Sequence, residues 1–236
     1  MKIVAIAPHP DDAEYGCGGI LARAVENNHE VTIICCKASL SELGDEYVND
    51  VGRLREEEAR HAADILNCKI EFAKCDPLND AQEARRNMVK MLRILQPDIL
   101  IVNEPNDYHP HHEKTSKIVM ESCFIAQLPN VKTNETPWQT AQAFYYETFS
   151  SVDFVPDCYV DVTHLFVKVR RAFLEHKTGI GVLPLLSHKM NAIHLIRGTQ
   201  CSAMYAEGIK FVYGYWFDTI RFRSTGFRFL CELNSK

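Results

Sequence analysis

The sequence predicts an α/β protein built on a mostly parallel sheet with helices on both faces. Two observations lead there. Strand-like and helix-like patterns alternate through the first two-thirds of the 236 residues, the order that produces parallel strands joined by crossover helices. The strand candidates are also continuously apolar, as in "IVAIA" and "ILIV", where a strand with one solvated face would alternate.

The elements follow in order. "KIVAIA" at 2–7 reads as the first buried strand, 18–28 as a helix, and "HEVTIICC" at 29–36 as the second strand. A small, polar loop covers 37–47. Residues 50–66 carry Val51, Leu54, Ala62, Ile65 and Leu66 on one face of an amphipathic helix. A short strand is expected at 69–73 and a helix over 80–96, ended by Pro97. Another strand follows at 98–102, then a helix over 110–128. Beyond 129 the pattern changes: strands at 142–147 and 158–163, a helix over 164–177, a stretch at 198–217 that starts helical and turns aromatic, and strand-like alternation over 219–233 around Gly226. The expectation is a single domain over 1–236, with about 130–236 as a strand-containing cap or edge.

Composition bounds the function. A hydrophobic fraction of 46% against 24% charged residues supports one sizeable core. A net charge of −5 argues against a nucleic-acid binder. No stretch is long and apolar enough to span a bilayer, and Pro8, His9, Asp11 and Asp12 interrupt the apolar start too soon for a signal peptide. A cytoplasmic location is the expectation. The nine cysteines contain no C-x-x-C pair, so neither a redox pair nor a zinc ribbon is signalled, and the scattered ones read as small buried hydrophobes. The cations of "RRNMVKMLR" at 85–93 read as a solvated face. The aromatic run at 211–217 reads as core or subunit interface, which leaves room for a homo-oligomer.

Two segments carry chemistry. "HPDDAEYGCGG" at 9–19 leaves the first strand, and "NDYHPHHE" at 106–113 leaves the fourth. In a parallel sheet both lie beyond the carboxyl ends of strands, where sites form. Turn and cap chemistry alone accounts for aspartate and glycine in the first segment, and surface histidines account for the second. Together they supply His9, Asp12 and His112, three metal ligands with a fourth position for water, the layout of a catalytic rather than a structural zinc. Iron(II) shares such ligands. Asp11 beside Asp12 is placed to take the proton of that water, and His109 to stabilise or protonate what develops opposite. "GCGG" does not make G-x-G-x-x-G, so a dinucleotide site is not indicated.

The chain resembles LmbE-like proteins, in the superfamily of N-acetylglucosaminyl-phosphatidylinositol de-N-acetylases. "HPDDAEYGCGG" is similar to the first motif of that family and "HPHH" at 109–112 to the second, usually His-Pro-Asp-His. "RLREEEARHAADILN" at 53–67, with Arg55 and Glu58, and "YAEGIKF" at 205–211, with Glu207, are similar to later segments. The resemblance implies a Rossmann-like fold and zinc on His9, Asp12 and His112. It also implies Asp11 as general base, His109 assisting charge development, and removal of acetyl from an N-acetylated sugar or sugar conjugate. His111 stands where the second motif has Asp, a residue expected to orient His109 or a neighbour, and either takes that role here or points to solvent or a subunit contact. Ala13 replaces a frequent Glu, with Glu14 beside it, and "EHKTG" at 175–179 lacks the usual His-x-Ser-Gln. The rival readings are a non-sugar metal amidase or phosphoesterase, and a sugar- or nucleotide-binding protein impaired in catalysis.

Overall fold

Seven strands form one sheet in the order β3-β2-β1-β4-β5-β7-β6. The computed structural model describes residues 1–37, 45–73, 76–139, 142–151, 153–182, 185–212 and 227–234. β1 (Lys2–Ala7), β2 (Glu30–Cys35), β3 (Lys69–Phe72), β4 (Ile99–Asn103) and β5 (Gln142–Tyr146) are mutually parallel. β6 (Cys158–Asp161) and β7 (Ala206–Phe211) extend the β5 edge through antiparallel pairs. The expected C-terminal cap or edge is thus an extension of the same sheet.

Alternate residues of the apolar strands feed opposite faces, as the two-residue period requires. Ile3 and Ala5 pack into one core and Val4 and Ile6 into the other. α1 (Asp12–Glu26) and α8 (Phe227–Asn234) cover the first face, while α3 (Ala81–Leu95) and α4 (Pro110–Gln127) cover the second. A further layer of α2 (Asp45–Leu66), α5 (Phe166–Phe173) and α7 (Leu186–Gln200) packs outside α1. Among the described residues no helix is long and apolar enough to cross a membrane.

Several expectations are corrected. α1 begins at Asp12 rather than at 18, so its glycines lie inside the helix. They serve close packing: a Cβ on Gly16 would stand 2.3 Å from the Glu147 carbonyl oxygen, and one on Gly19 2.5 Å from the Val162 side chain. A helix buried on nearly every side needs such bare surfaces. On α2, Ala62 and Leu66 are buried as expected, but Leu54 is 47% exposed, and Arg55, Glu58 and Ala59 are buried instead.

The helix read over 164–177 ends at Phe173, and a short α6 (Lys177–Val182) follows. The stretch expected to start helical after 198 holds the end of α7 and then β7. The strand read over 219–233 is helical from Phe227 onward, and its earlier part, like 213–217 of the aromatic run, lies outside the described residues. Arg93 is not solvated: at 2% exposure it donates to the carbonyls of Ala126, Leu128 and Val131, capping the end of α4. Among the scattered cysteines Cys17 and Cys123 are buried, whereas Cys68, Cys158 and Cys201 are partly exposed and Cys231 is exposed.

Candidate active site

β1 and β4 are neighbours, yet the chain runs from β1 toward β2 on one side and enters β4 from β3 across the sheet. This is the topological switch point of a doubly wound sheet, where the loops diverge and leave a crevice. The 8–11 loop and the 104–109 loop leave the carboxyl ends of those two strands, so residues 103 apart in sequence meet there.

The side chains converge closely. Asp12 Oδ2 lies 3.2 Å from His9 Nδ1 and 3.3 Å from His112 Nε2, and the two imidazole nitrogens are 3.3 Å apart. A tetrahedral shell with bonds of about 2.0–2.1 Å separates its donor atoms by about 3.3–3.4 Å. The triangle therefore has the edge of such a shell, and the donor set of two imidazoles and a carboxylate can coordinate a divalent metal.

Local structure fixes each corner. The backbone N–H of His9 donates to Asp12 Oδ2 at 2.8 Å, which ties the loop to the first turn of α1. His109 is the N-cap of α4 and Pro110 its first residue, placing His112 in the opening turn. Asn103, at the end of β4, donates to the His112 carbonyl at 2.9 Å. Asp107 Oδ2 lies 2.8 Å from His112 Nδ1, so that nitrogen carries a proton and Nε2 faces the triangle.

Electrostatics match this arrangement. Burial opposes the charge of His112, but Asp12 and Asp107 outweigh it and push the imidazole up to about 10. Burial likewise opposes the Asp12 carboxylate, and His112 and His9 hold it well below the ordinary range. A proton shared in the metal-free triangle is displaced when a cation binds. His109 is pushed down to about 4 by burial and then by His9 and His112, so it is neutral near pH 7. Its Nδ1 accepts from the His111 N–H at 3.3 Å, which leaves the proton on Nε2.

Asp11 occupies the N-cap of α1, yet its side chain makes no capping hydrogen bond. The turn-and-cap explanation therefore does not cover it. At 5% exposure, burial and then Asp12 raise its carboxyl to about 6, against the pull of Arg55, His176 and His9.

His111, in place of the motif's Asp, turns its Nε2 toward Lys37 and Asp76. Its Nε2 lies 3.0 Å from the Lys37 ammonium and 3.4 Å from Asp76, while Lys37 pairs with Asp76 at 2.8 Å. The carboxylate that orients a site imidazole is Asp107, which sequence reasoning missed, although an aspartate within a histidine-rich loop was a usable signal. His9, His109 and His111 form a second group of clustered ligand atoms. It suits a cation less well, because His109 Nδ1 is engaged and Lys37 sits against His111. Glu207 is structural, accepting from the N–H groups of Gly19 at 2.7 Å and Ile20 at 2.8 Å. Asp107→Asn should weaken metal binding about 10–100-fold through loss of this carboxylate; titration against a competing chelator measures it.

Residues 4–123 match the family model described as PIG-L, GlcNAc-PI de-N-acetylase. The chain is 26% identical over 229 residues to the diacetylchitobiose deacetylase of Thermococcus kodakarensis, covering 90% of this chain and 84% of that one. It is 22% identical to the 4-oxalmesaconate hydratase of Pseudomonas putida, over 89% and 88% of the two chains. The structure of N,N'-diacetylchitobiose deacetylase from Pyrococcus horikoshii superimposes with a TM-score of 0.78 at 23% identity, covering 89% of this chain and 83% of that one. On the family match, and with a cluster able to hold a divalent metal at the switch point, this chain belongs to the PIG-L family and is a metal-dependent hydrolase.

Proposed function

We propose that the protein is a zinc-dependent de-N-acetylase of N-acetylglucosamine-type sugars or their conjugates, with His9, Asp12 and His112 as the metal ligands. The observation that carries the reading is the meeting of three ligand atoms 3.2–3.3 Å apart beside a buried aspartate that caps nothing. Two imidazoles and one carboxylate at tetrahedral spacing suit zinc, with iron(II) the alternative. The ion supplies Lewis acidity toward a water and an amide carbonyl.

The chain's own residues do the rest. Asp11 accepts a proton from the attacking water, and the raised position of its carboxyl suits a base that must later release that proton. Neutral His109 offers its Nε2–H to the oxygen that gains charge on the tetrahedral carbon. Protonated Asp11 then delivers its proton to the departing sugar amine, the C–N bond breaks, and acetate and a free amine result.

The hydratase relative shows that a similar chain serves other chemistry. Metal-loaded protein incubated with N-acetylglucosamine, N,N'-diacetylchitobiose and N-acetylated sugar conjugates should release acetate and free amine in equal amounts. Neither product across that panel, with a known deacetylase active in parallel, rejects the reading.

A further inference from the structure

Asp11 gains no orientation from helix capping, so its carboxylate must be held by something else. We propose that the corner between α5 and α6, residues 176–179, is the positioning element for Asp11, with Gly179 as its contact residue. The proposal rests on Asp11 being the proton acceptor.

The corner is first fastened to α2. Glu58, 8% exposed, accepts from the Thr178 N–H at 3.0 and 3.2 Å and from the Thr178 hydroxyl at 2.9 Å. Two donors of one residue, with the N–H shared between both oxygens of one buried carboxylate, leave the first turn of α6 little freedom. The next residue then lies against Asp11. A Cβ at Gly179 would stand 2.9 Å from Asp11 Oδ2 and 3.9 Å from Asp11 Cγ, and among the described residues it would meet nothing else within 4 Å. Gly179 sits in ordinary helix rather than in the left-handed region, so the glycine is required for space and not for conformation. Gly181, two residues on, is a built-in contrast: among the described residues a Cβ there meets nothing within 4 Å.

His176 completes the corner. It is 2% exposed, and its Nε2 lies 3.4 Å from Glu14 Oε2. Glu14 stands one turn along α1 from Asp11. A buried imidazole among the carboxylates of Glu14, Asp11 and Glu58, together with Arg55 on α2, encloses Asp11 in alternating charge while the Gly179 backbone sets its position.

The contact has an unusual consequence. An added methyl at 179 meets the far end of a short side chain that can turn away, so the fold tolerates it while the base moves by a few tenths of an ångström. Misplacing a reacting group by amounts of this order costs rate far more than stability. In metal-loaded enzyme, Gly179→Ala should lower kcat about 10–100-fold with KM within about twofold. Metal content and Tm should stay at wild-type values, and Gly181→Ala should behave as wild type. Thr178→Val, which removes the hydroxyl donor to Glu58, should lower kcat less, and Thr178→Ser should restore it. A crystal structure of Gly179→Ala should show the Asp11 carboxylate displaced. Wild-type kcat in Gly179→Ala, an Asp11 that superimposes on wild type, or a fall in Tm or metal content matching the fall in activity overturns the proposal. Should Gly179→Ala not fold, equal kcat in Thr178→Val and Thr178→Ser overturns it. Asp11→Asn separates the two readings: full turnover there rejects Asp11 as base, whereas an inactive Asp11→Asn beside a fully active Gly179→Ala rejects only the corner's role.

Discussion

Asp11→Asn is expected to lower kcat/KM by about 10²–10⁴, the range for a positioned proton-transfer group, and to stabilise the metal-free fold. The amide keeps the shape but cannot accept a proton from water. The stability gain follows from the raised carboxyl. Folding lifts Asp11 from 3.8 to about 6, so the folded state holds a proton that the unfolded chain has lost. Between those values stability falls as pH rises, and above about 6 the full cost persists. At about 1.4 kcal/mol per pKa unit this is on the order of 2–3 kcal/mol, or several degrees in Tm for a chain of this length. Thermal melts of chelator-treated protein at pH 4 and pH 7.5 check the sign: the variant should gain on wild type at the higher pH and converge with it at the lower. Equal melts at both values, or undiminished turnover, would count against the site as described.

Alanine at His9, Asp12 or His112 is expected to empty the metal site. Each change removes one of three protein donors, and stoichiometric metal by elemental analysis should fall from about one per chain toward zero. His112→Ala should have the cleanest effect, because Asn103 holds the backbone of that residue through its carbonyl and the turn survives. Asp12→Ala also removes the acceptor for the His9 N–H and so loosens the loop. A bound ion at 1,000 times its Kd stabilises the fold by about 4 kcal/mol. Chelation should therefore lower the Tm of wild type and leave that of the three variants unchanged. Full metal content in all three would rule out this ligand set.

What the sequence made legible depended on the range of the interactions involved. Most of the parallel strands were readable as local apolar runs, and α3 from its helical pattern and Pro97; the structure adds the Asp80 cap. The meeting of His9, Asp12 and His112 was readable because their motifs follow strands whose ends the topology brings to one rim. α1 was misread at its start because glycines argue against helix, and only packing against Tyr146, Val162 and Val169 explains them. α2 was misread at Leu54 and Arg55 because the face it buries is set by contact with the site rather than by hydropathy. β7 was missed because its partners, β5 and β6, lie far away in sequence. Gly179 carried no signal, since its meaning lies in one contact with a residue 168 positions earlier.

The placement of the triangle on adjacent strands also bears on stability. His9 and His112 stand 103 positions apart in the chain and meet across the β1–β4 seam; with the ligand set proposed above, an ion held by both would tie the two loops together in the folded state. Unlike a disulfide, such an ion leaves when the chain unfolds, so it acts as a ligand that binds the folded state alone. Depletion of metal would thus do more than silence the enzyme: it would raise the fraction of chain that is unfolded and open to proteases.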